Sequence, residues 1–488
     1  MEEKRLFLAI ILSLIILISW SYWVSQSYHI EKQKLTTSKP IIPPLEPSEE
    51  DSFEESFSWN NHLFLFNPKQ ACLKKVIFKD YPNEEFVLQK GFFLETKENL
   101  SWQKNQEKNY PSFVYEDDKK RIIKEFIFSN TNDTIDLKIK IQNLLFEPQN
   151  IDFNLIAQIL NFSQISPEKA RFYEVLFNQK EKNIRFSGRK DFKLEKIEFL
   201  GFKNRYFCGI IEPQVKEFQG FTKKINNYQF KIGLNSQILI PAKEEKEFNF
   251  LIYLGPQDLE KISAIKKEWA QIIHYGVFDF IAQILLLILK NFYKLLHNWG
   301  LAIIALSILI YFLLYPLTLK QIFSLKKLQN LQPKIEEIKN LYKNNPQKLN
   351  RELLELYRKE KINPLGGCLP LLLQIPIFFA LYQSLMRFIE IKGKSFLWIK
   401  DLSEPDKLMV LGKEIHILPI LLVIIMFLQQ RQSQIMGSQS LEQQKLMSII
   451  FPLILGLVFY SLPSALVLYW LINSLLMYLF QAKWIKNT

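Results

Sequence analysis

Near the C-terminal end of this chain, a few uncharged polar side chains stand inside long apolar stretches. Ser307, Tyr311 and Tyr315 follow one another at spacings of four, as do Tyr469 and Asn473 with Trp470 beside them, and Gln374 lies in a separate stretch. Residues four apart share one face of a helix, so these faces offer hydroxyls and amides but no charge. The chemistry available is hydrogen bonding at low dielectric rather than proton transfer. The competing use of each residue is an interhelical hydrogen bond that holds a bundle together. Gln383, nine residues after Gln374, lies about 180° round a helix and cannot share its face. Acid–base and metal chemistry have little material: there are five histidines, of which His62 alone lies between 58 and 256, and three scattered cysteines, Cys72, Cys208 and Cys368. Cys72 and Cys208 could pair in an exported domain or stay as core thiols. No Gly-Lys nucleotide loop is present. The reading therefore gives no catalytic residue, no metal and no cofactor, and no enzyme.

The elements that must position these residues are membrane helices. Apolar stretches at 299–319, 365–389, 415–430, 446–462 and 464–481 have no Asp, Glu, Lys, Arg or His in their cores. Charge at mid-bilayer usually marks an ion or proton path, so its absence argues against a coupled transporter. Two of these stretches are short, and short spans thin the bilayer around them. A further run, 6–18, follows Lys4 and Arg5 and continues through Trp20, Tyr22, Trp23 and Val24. Its aromatic end suits a retained anchor over 1–25 rather than a cleaved signal peptide.

Between anchor and bundle the pattern changes. Residues 26–57 carry four prolines and an acidic cluster and read as a disordered linker. From 58 to 256 the period is two: Ile135, Leu137, Ile139 and Ile141; Ile151, Phe153, Leu155 and Ala157; Tyr228, Phe230, Ile232 and Leu234; Phe248, Phe250 and Ile252. Repeated half-buried strands predict an antiparallel β-sandwich. Residues 257–297 form a connector whose segment 276–297 reads as an interfacial amphipathic helix. The fold class is thus a polytopic α-helical membrane domain, six transmembrane helices in total, plus an exported antiparallel β-domain. The five-helix core spans 298–482, and a short tail follows at 483–488.

Charge sets the topology. Lys320 to Lys361 hold eleven basic and five acidic residues, whereas 390–414 hold five of each. The positive-inside rule puts the first loop and both termini in the cytoplasm and the second loop and the β-domain outside. Within 320–362, Ile335, Ile338, Leu341 and Tyr342 share one helical face, and Leu349, Leu353, Leu356 and Tyr357 another, with Asn344-Asn345-Pro346 between them. This predicts a helical hairpin whose exterior carries Lys326, Lys327, Lys334, Lys339, Lys343, Arg351, Arg358 and Lys359, a basic docking surface. The net charge of +13 lies partly beside apolar spans, where lysines face anionic lipid, so no specific nucleic-acid target is expected.

Local strings add a resemblance. Asn298-Trp299-Gly300, Tyr315-Pro316-Leu317-Thr318, Leu331-Gln332-Pro333-Lys334, Asn363-Pro364-Leu365-Gly366-Gly367-Cys368-Leu369-Pro370, Gln374-Ile375-Pro376-Ile377-Phe378, Leu462-Pro463-Ser464 and Leu466-Val467-Leu468-Tyr469-Trp470 occur in that order. Together they resemble the YidC family of membrane protein insertases, in the Gram-negative form with a large periplasmic domain. Tyr253-Leu254-Gly255-Pro256 is similar to that domain's pattern. The resemblance implies an insertase and chaperone with a polar groove open to cytoplasm and lipid, lined here by Ser307, Tyr311, Tyr315, Gln374, Tyr469, Trp470 and Asn473. It also implies a β-supersandwich, inner-membrane location, nascent membrane proteins and lipid as partners, and work alone or with a Sec translocon, with ribosome or targeting factors at the hairpin. The short tail predicts weak tail-mediated ribosome binding. One departure stands out: Tyr311 occupies the place where the family's groove usually carries an arginine. A membrane scaffold without translocating activity, and a secondary transporter, are the rival readings.

Overall fold

Alternating sequence becomes sheet because a strand turns successive side chains to opposite faces. A computed structural model describes residues 54–81, 84–96, 100–129, 133–180, 182–360, 369–410, 412–435 and 441–486. The expected anchor, nearly all of the linker, Cys368 and the end of the tail lie outside the described residues. The chain divides into two compact units, Met1–Ile272 and Ile273–Thr488.

The first unit is a β-sandwich. Strands β1 (Glu55–Trp59), β2 (His62–Asn67), β3 (Cys72–Phe78) and β4 (Glu85–Gly91) form an antiparallel meander. After β5 (Phe93–Glu95), β6 (Gln103–Lys104), β7 (Ser112–Glu116), β8 (Lys120–Phe128), β9 (Thr134–Asn143) and β10 (Gln149–Asn161) come β11 (Glu174–Gln179), β12 (Lys182–Phe186) and β13 (Phe192–Leu194). The last strands of this unit are β14 (Phe199–Lys203), β15 (Phe207–Pro213), β16 (Gln219–Lys224), β17 (Gln229–Ile240) and β18 (Glu245–Pro256). One sheet runs β13-β16-β17-β10-β5 and another β12-β11-β14-β15-β18-β9-β8-β7-β6. They meet through aromatic rings: Phe153 of β10 lies 5.1 Å from Phe248 and 6.0 Å from Phe250 of β18, centroid to centroid.

Three details differ from the sequence expectation. Strand β1 starts at Glu55, inside the stretch read as linker, because Phe57 and Trp59 pack on Phe128 at 4.7 and 5.2 Å. In β10 a register shift between Ile156 and Gln158 reverses which parity faces the core, so Leu160 is buried, whereas Ile151, near the start of the strand and ahead of the shift, is only partly buried. Tyr228, expected to point inward, precedes β17 and is half exposed. There the Asn226 side-chain oxygen accepts from the Tyr228 and Gln229 amides at 2.9 and 2.8 Å, turning the chain between β16 and β17. Cys72 and Cys208 are fully buried and are not joined by a disulfide, so the pairing left open by the sequence is not made. Burial pushes the Cys208 thiol up to about 12.

Helix α1 (Leu259–Ile265) ends the first unit, capped by Asp258, and Trp269 beyond it donates to Glu212 at 2.8 Å. The second unit is helical: α2 (Asp279–Leu296), α3 (Trp299–Asn330), α4 (Gln332–Leu341), α5 (Pro346–Lys359), α6 (Leu369–Leu385), α7 (Ile417–Ile435), α8 (Leu441–Phe459) and α9 (Ser464–Lys486). Among the described residues, Trp299–Ser324 and Ser464–Ala482 are long and apolar enough to cross a membrane, and Ile417–Arg431 and Ile449–Phe459 are shorter apolar stretches. This is fewer than the six spans expected: the first lies outside the described residues, and α6 is 17 residues long. The two stretches read as short belong to longer helices, since α7 and α8 are 19 residues each, about 28 Å.

Candidate functional site

Helix α9 is the hub of the second unit, packing against α3, α6 and α7. It brings the candidate residues into two groups. In the first, Gln374 of α6 donates its side-chain amide to the Tyr469 hydroxyl at 2.5 Å. One turn along α9, Asn473 donates to the Tyr469 carbonyl at 3.0 Å. Trp470 stands edge-on to Phe378 of α6 at 5.0 Å and lies 5.3 Å from Phe459 of α8. In the second group, Tyr311 and Tyr315 of α3 both lie 5.4 Å from Phe480 of α9.

The hydrogen-bond ledger differs among these residues. Ser307, with no exposed surface, donates to the Ile303 carbonyl of its own helix at 2.7 Å. Thr318 does the same toward Leu314 at 3.2 Å. The Tyr311 hydroxyl is buried and has no hydrogen-bond partner among the described residues, although the side chain is only 5% exposed. A buried hydroxyl without a partner is costly, and Tyr311 carries such a hydroxyl among the described residues. Sequence reasoning missed Phe480, Phe378 and Phe459, which complete the aromatic lining; all three lie within apolar runs where no pattern separates lining from packing. Arg387, placed by the sequence near the outer end of its apolar stretch, donates to the Gln383 side-chain oxygen at 2.6 Å and to its carbonyl at 3.0 Å.

At one end of the bundle, the segment after α6 folds back as a tie. Phe396 lies on Gly300, where a Cβ would come within 2.1 Å of the ring, so only glycine fits that close approach. Trp299 stacks on Tyr293 at 3.9 Å and meets Phe388 edge-on at 5.1 Å. The Glu404 carbonyl accepts from the Ser464 amide at 2.8 Å and its hydroxyl at 2.6 Å, and the Leu402 carbonyl accepts from the Ala465 amide. Asp406, buried, accepts from the Leu418 amide at 2.8 Å. Lys392 pairs with Glu404 at 3.1 Å and Asp401 at 3.5 Å. Helix α2 packs on α3 and α6, anchored by Lys290 to Glu390 at 3.1 Å. Its other face leaves Phe280, Ile284, Leu287 and Leu295 exposed.

The candidate docking hairpin is α4 and α5. Leu331 and Ile335 are buried against Leu353, Leu356 and Tyr357, and Lys334 reaches Glu360 at 3.2 Å. Asn345 caps α5 by accepting from Lys348 N at 3.1 Å. Leu341, expected on the packed face, is 69% exposed because α4 ends there. Lys327, Lys334, Lys343, Arg351, Arg358 and Lys359 are exposed, and Lys326 and Lys339 half-buried.

In the β-sandwich, His62 lines a cleft with Asp80, Tyr81, Asp133 and Lys261. Its volume of about 20 Å³ holds one water. Lys124 is fully buried and donates to the carbonyls of Ala71 and Phe92, two residues with positive φ. Burial lowers its ammonium to about 7.

A β-sandwich followed by a helical unit in which two described helices are long and apolar enough to cross a membrane, with a basic hairpin between them, is the pattern of a membrane protein with an added β-domain. Residues 61–288 match the model of the YidC periplasmic domain, and 291–488 that of the 60Kd inner membrane protein. The membrane protein insertase YidC of Syntrophobacter fumaroxidans is 34% identical over 375 residues, 73% of this chain and 67% of that relative. Its counterpart in Endomicrobium trichonymphae is 40% identical over 279 residues, 56% of this chain and 53% of that relative. A crystal structure of an active YidC insertase with its first transmembrane domain resolved aligns over 88% of this chain and 93% of that one, with 19% identity and a TM-score of 0.41. The chain belongs to the YidC family of membrane protein insertases.

Proposed function

We propose that this chain inserts nascent membrane proteins into the inner membrane by lowering the cost of moving a short polar segment past the faces of α3, α6 and α9. Family membership implies the inner membrane, the bilayer and nascent membrane proteins as its setting. The observation that carries the mechanism is the unsatisfied Tyr311 hydroxyl buried on α3, and the Gln374–Tyr469 hydrogen bond adds a second uncharged polar contact between α6 and α9. A charged residue at mid-bilayer costs about 3 kcal/mol on insertion scales. A donor in a low-dielectric interior offsets part of that cost, and the client's apolar helix then leaves for lipid, its burial driving the step. Nothing in this scheme consumes a nucleotide.

The finer architecture belongs to the same proposal: six spans, the anchor at 1–25, cytoplasmic termini, the β-domain in the periplasm and the hairpin in the cytoplasm. The charge asymmetry of the two loops supports it, and so does the exposed apolar face of α2, suited to lying along a membrane surface. The hairpin's exposed lysines and arginines would receive a ribosome, targeting factors or a Sec translocon.

A scaffold that holds helices without translocating is the second reading, favoured by the bonds that Ser307 and Asn473 spend on their own helices. Protease protection separates the two. A single-span substrate with a short acidic N-terminal tail, and one with a neutral tail, are offered to liposomes with and without the purified protein. Protection that depends on the protein establishes insertion; failure with both tails leaves the scaffold.

A further inference from the structure

The hairpin between β16 and β17 ends in six consecutive exposed residues, Lys223 to Tyr228. Ile225 and Tyr228 expose 48% and 49% of their surface there. The tip is well formed: besides the Asn226 turn, the Ile225 amide donates to the Gln229 carbonyl at 2.8 Å. A second segment, Arg189 to Asp191, is fastened beside it. The Thr222 hydroxyl donates to the Lys190 carbonyl at 2.5 Å, and the Lys224 amide to Asp191 at 2.6 Å. Arg189 lies 4.0 Å over the ring of Phe162, whose amide donates to the Tyr228 carbonyl at 2.8 Å.

The tip and the segment fastened beside it thus carry Arg189, Lys190, Lys223 and Lys224 together with the exposed Ile225 and Tyr228, with Asp191 among them; the Lys190 ammonium lies over the rings of Phe186 and Phe192. Among the described residues no ion pair engages Arg189, Lys190, Lys223 or Lys224. Arg189 is the informative one: its Nε is buried without a hydrogen-bond partner, and desolvation lowers its hold on the proton. A half-sunken guanidinium gains most from an anion whose oxygens match its fork, as phosphate does. An aliphatic chain and a tyrosine at the tip suit the layer where headgroups meet acyl chains. A narrow six-residue tip is poorly suited to a stable protein interface, which needs about 800 Å² from each partner.

We propose that the β16–β17 tip docks the β-sandwich onto the anionic phospholipid headgroups of the membrane that carries the chain, with Ile225 and Tyr228 in the headgroup layer and Arg189, Lys190, Lys223 and Lys224 on phosphates. Because the domain is tethered to that membrane, the effective headgroup concentration is high and a contact of modest strength holds it.

Hydrogen exchange read by mass spectrometry on the full chain in nanodiscs tests this. In nanodiscs containing phosphatidylglycerol, amides 223–228 are expected to exchange more slowly than in pure phosphatidylcholine. Each basic residue near an anionic surface is worth about fivefold in binding, so the triple variant Arg189→Gln, Lys190→Gln, Lys224→Gln should weaken docking by about a hundredfold and abolish the difference. Unchanged exchange in β10 and β17 verifies its fold; if it fails that check, Lys223→Gln with Lys224→Gln, both fully at the surface, replaces it with an expected loss of about twenty-five-fold. Equal exchange in the two lipids overturns the proposal and leaves the patch to an acidic protein. Slowing in detergent on adding inorganic phosphate alone overturns it too, since that marks a free-anion site rather than a membrane contact.

Discussion

Tyr311→Phe deletes a hydroxyl that the fold buries without a hydrogen-bond partner and leaves the ring among Tyr315 and Phe480. An unsatisfied buried polar group costs about 1–3 kcal/mol, so its removal should stabilise the helical unit by about 1 kcal/mol. For a unit of this size that is a rise of about 2–4 °C in Tm, measurable by thermal unfolding in detergent. If the hydroxyl is kept for the client, insertion moves the other way. A hydrogen bond to a charged group is worth about 1.5–3 kcal/mol, and its loss from the transition state slows insertion about tenfold or more. The assay is the initial rate of protease protection for a substrate with an acidic tail. A lower Tm would mean that the hydroxyl has a partner in the folded protein and refute the premise. An unchanged rate beside a higher Tm would refute the role in transit.

The Gln374–Tyr469 bond should show a coupling energy of about 0.6 kcal/mol, at most about 1.7, in a double-mutant cycle of Gln374→Leu and Tyr469→Phe; no coupling would mean that the two side chains do not meet in the membrane. Gly300→Ala should destabilise the bundle by about 1–3 kcal/mol through overpacking against Phe396, with Phe396→Ala in the same chain restoring part of the loss in thermal unfolding. Lys124, lowered from 10.5 to about 7 by burial, binds fewer protons folded than unfolded between those values. Stability of the β-sandwich should therefore rise as pH increases across that window, and Lys124→Met should flatten the rise. Urea unfolding at successive pH values measures it, and an unchanged slope in the variant would assign the dependence elsewhere.

What the sequence could reveal follows from which interactions are local. Period two places Ile135, Leu137, Ile139 and Ile141 inward because β9 runs without interruption, and all four are buried. It fails at Tyr228, where an asparagine turn precedes β17, and beyond Ile156, where a bulge reverses the parity so that Leu160 is buried. The hairpin's packed faces were legible from helical spacing, save Leu341 at a helix end. At the candidate groove, spacing of four put Tyr311 and Tyr315 on one face. It could not pair Gln374 with Tyr469, 95 residues away, nor show that Ser307 bonds to its own carbonyl ladder. The segment 390–414 looked like a charge-balanced loop, yet its charges hold a fold: Lys392 pairs with both Asp401 and Glu404, and Asp406 caps α7.

That fold has a mechanical consequence. Helices α3, α7 and α9 begin at Trp299, Ile417 and Ser464, and these starts are fastened to the segment 388–406 by rings, carbonyls and a buried carboxylate. Toward its other end α9 meets α3 through ring contacts of Phe480 with Tyr311 and Tyr315, so it behaves as a lever with its fulcrum at the hydrogen-bonded, tied end. Over the 23 residues of α9, a lever of roughly 35 Å, a rotation of about 10° sweeps the free end through about 6 Å, more than half the usual distance between packed helix axes. Small adjustments at the pivot thus become an aperture at the opposite rim while the tied end stays shut.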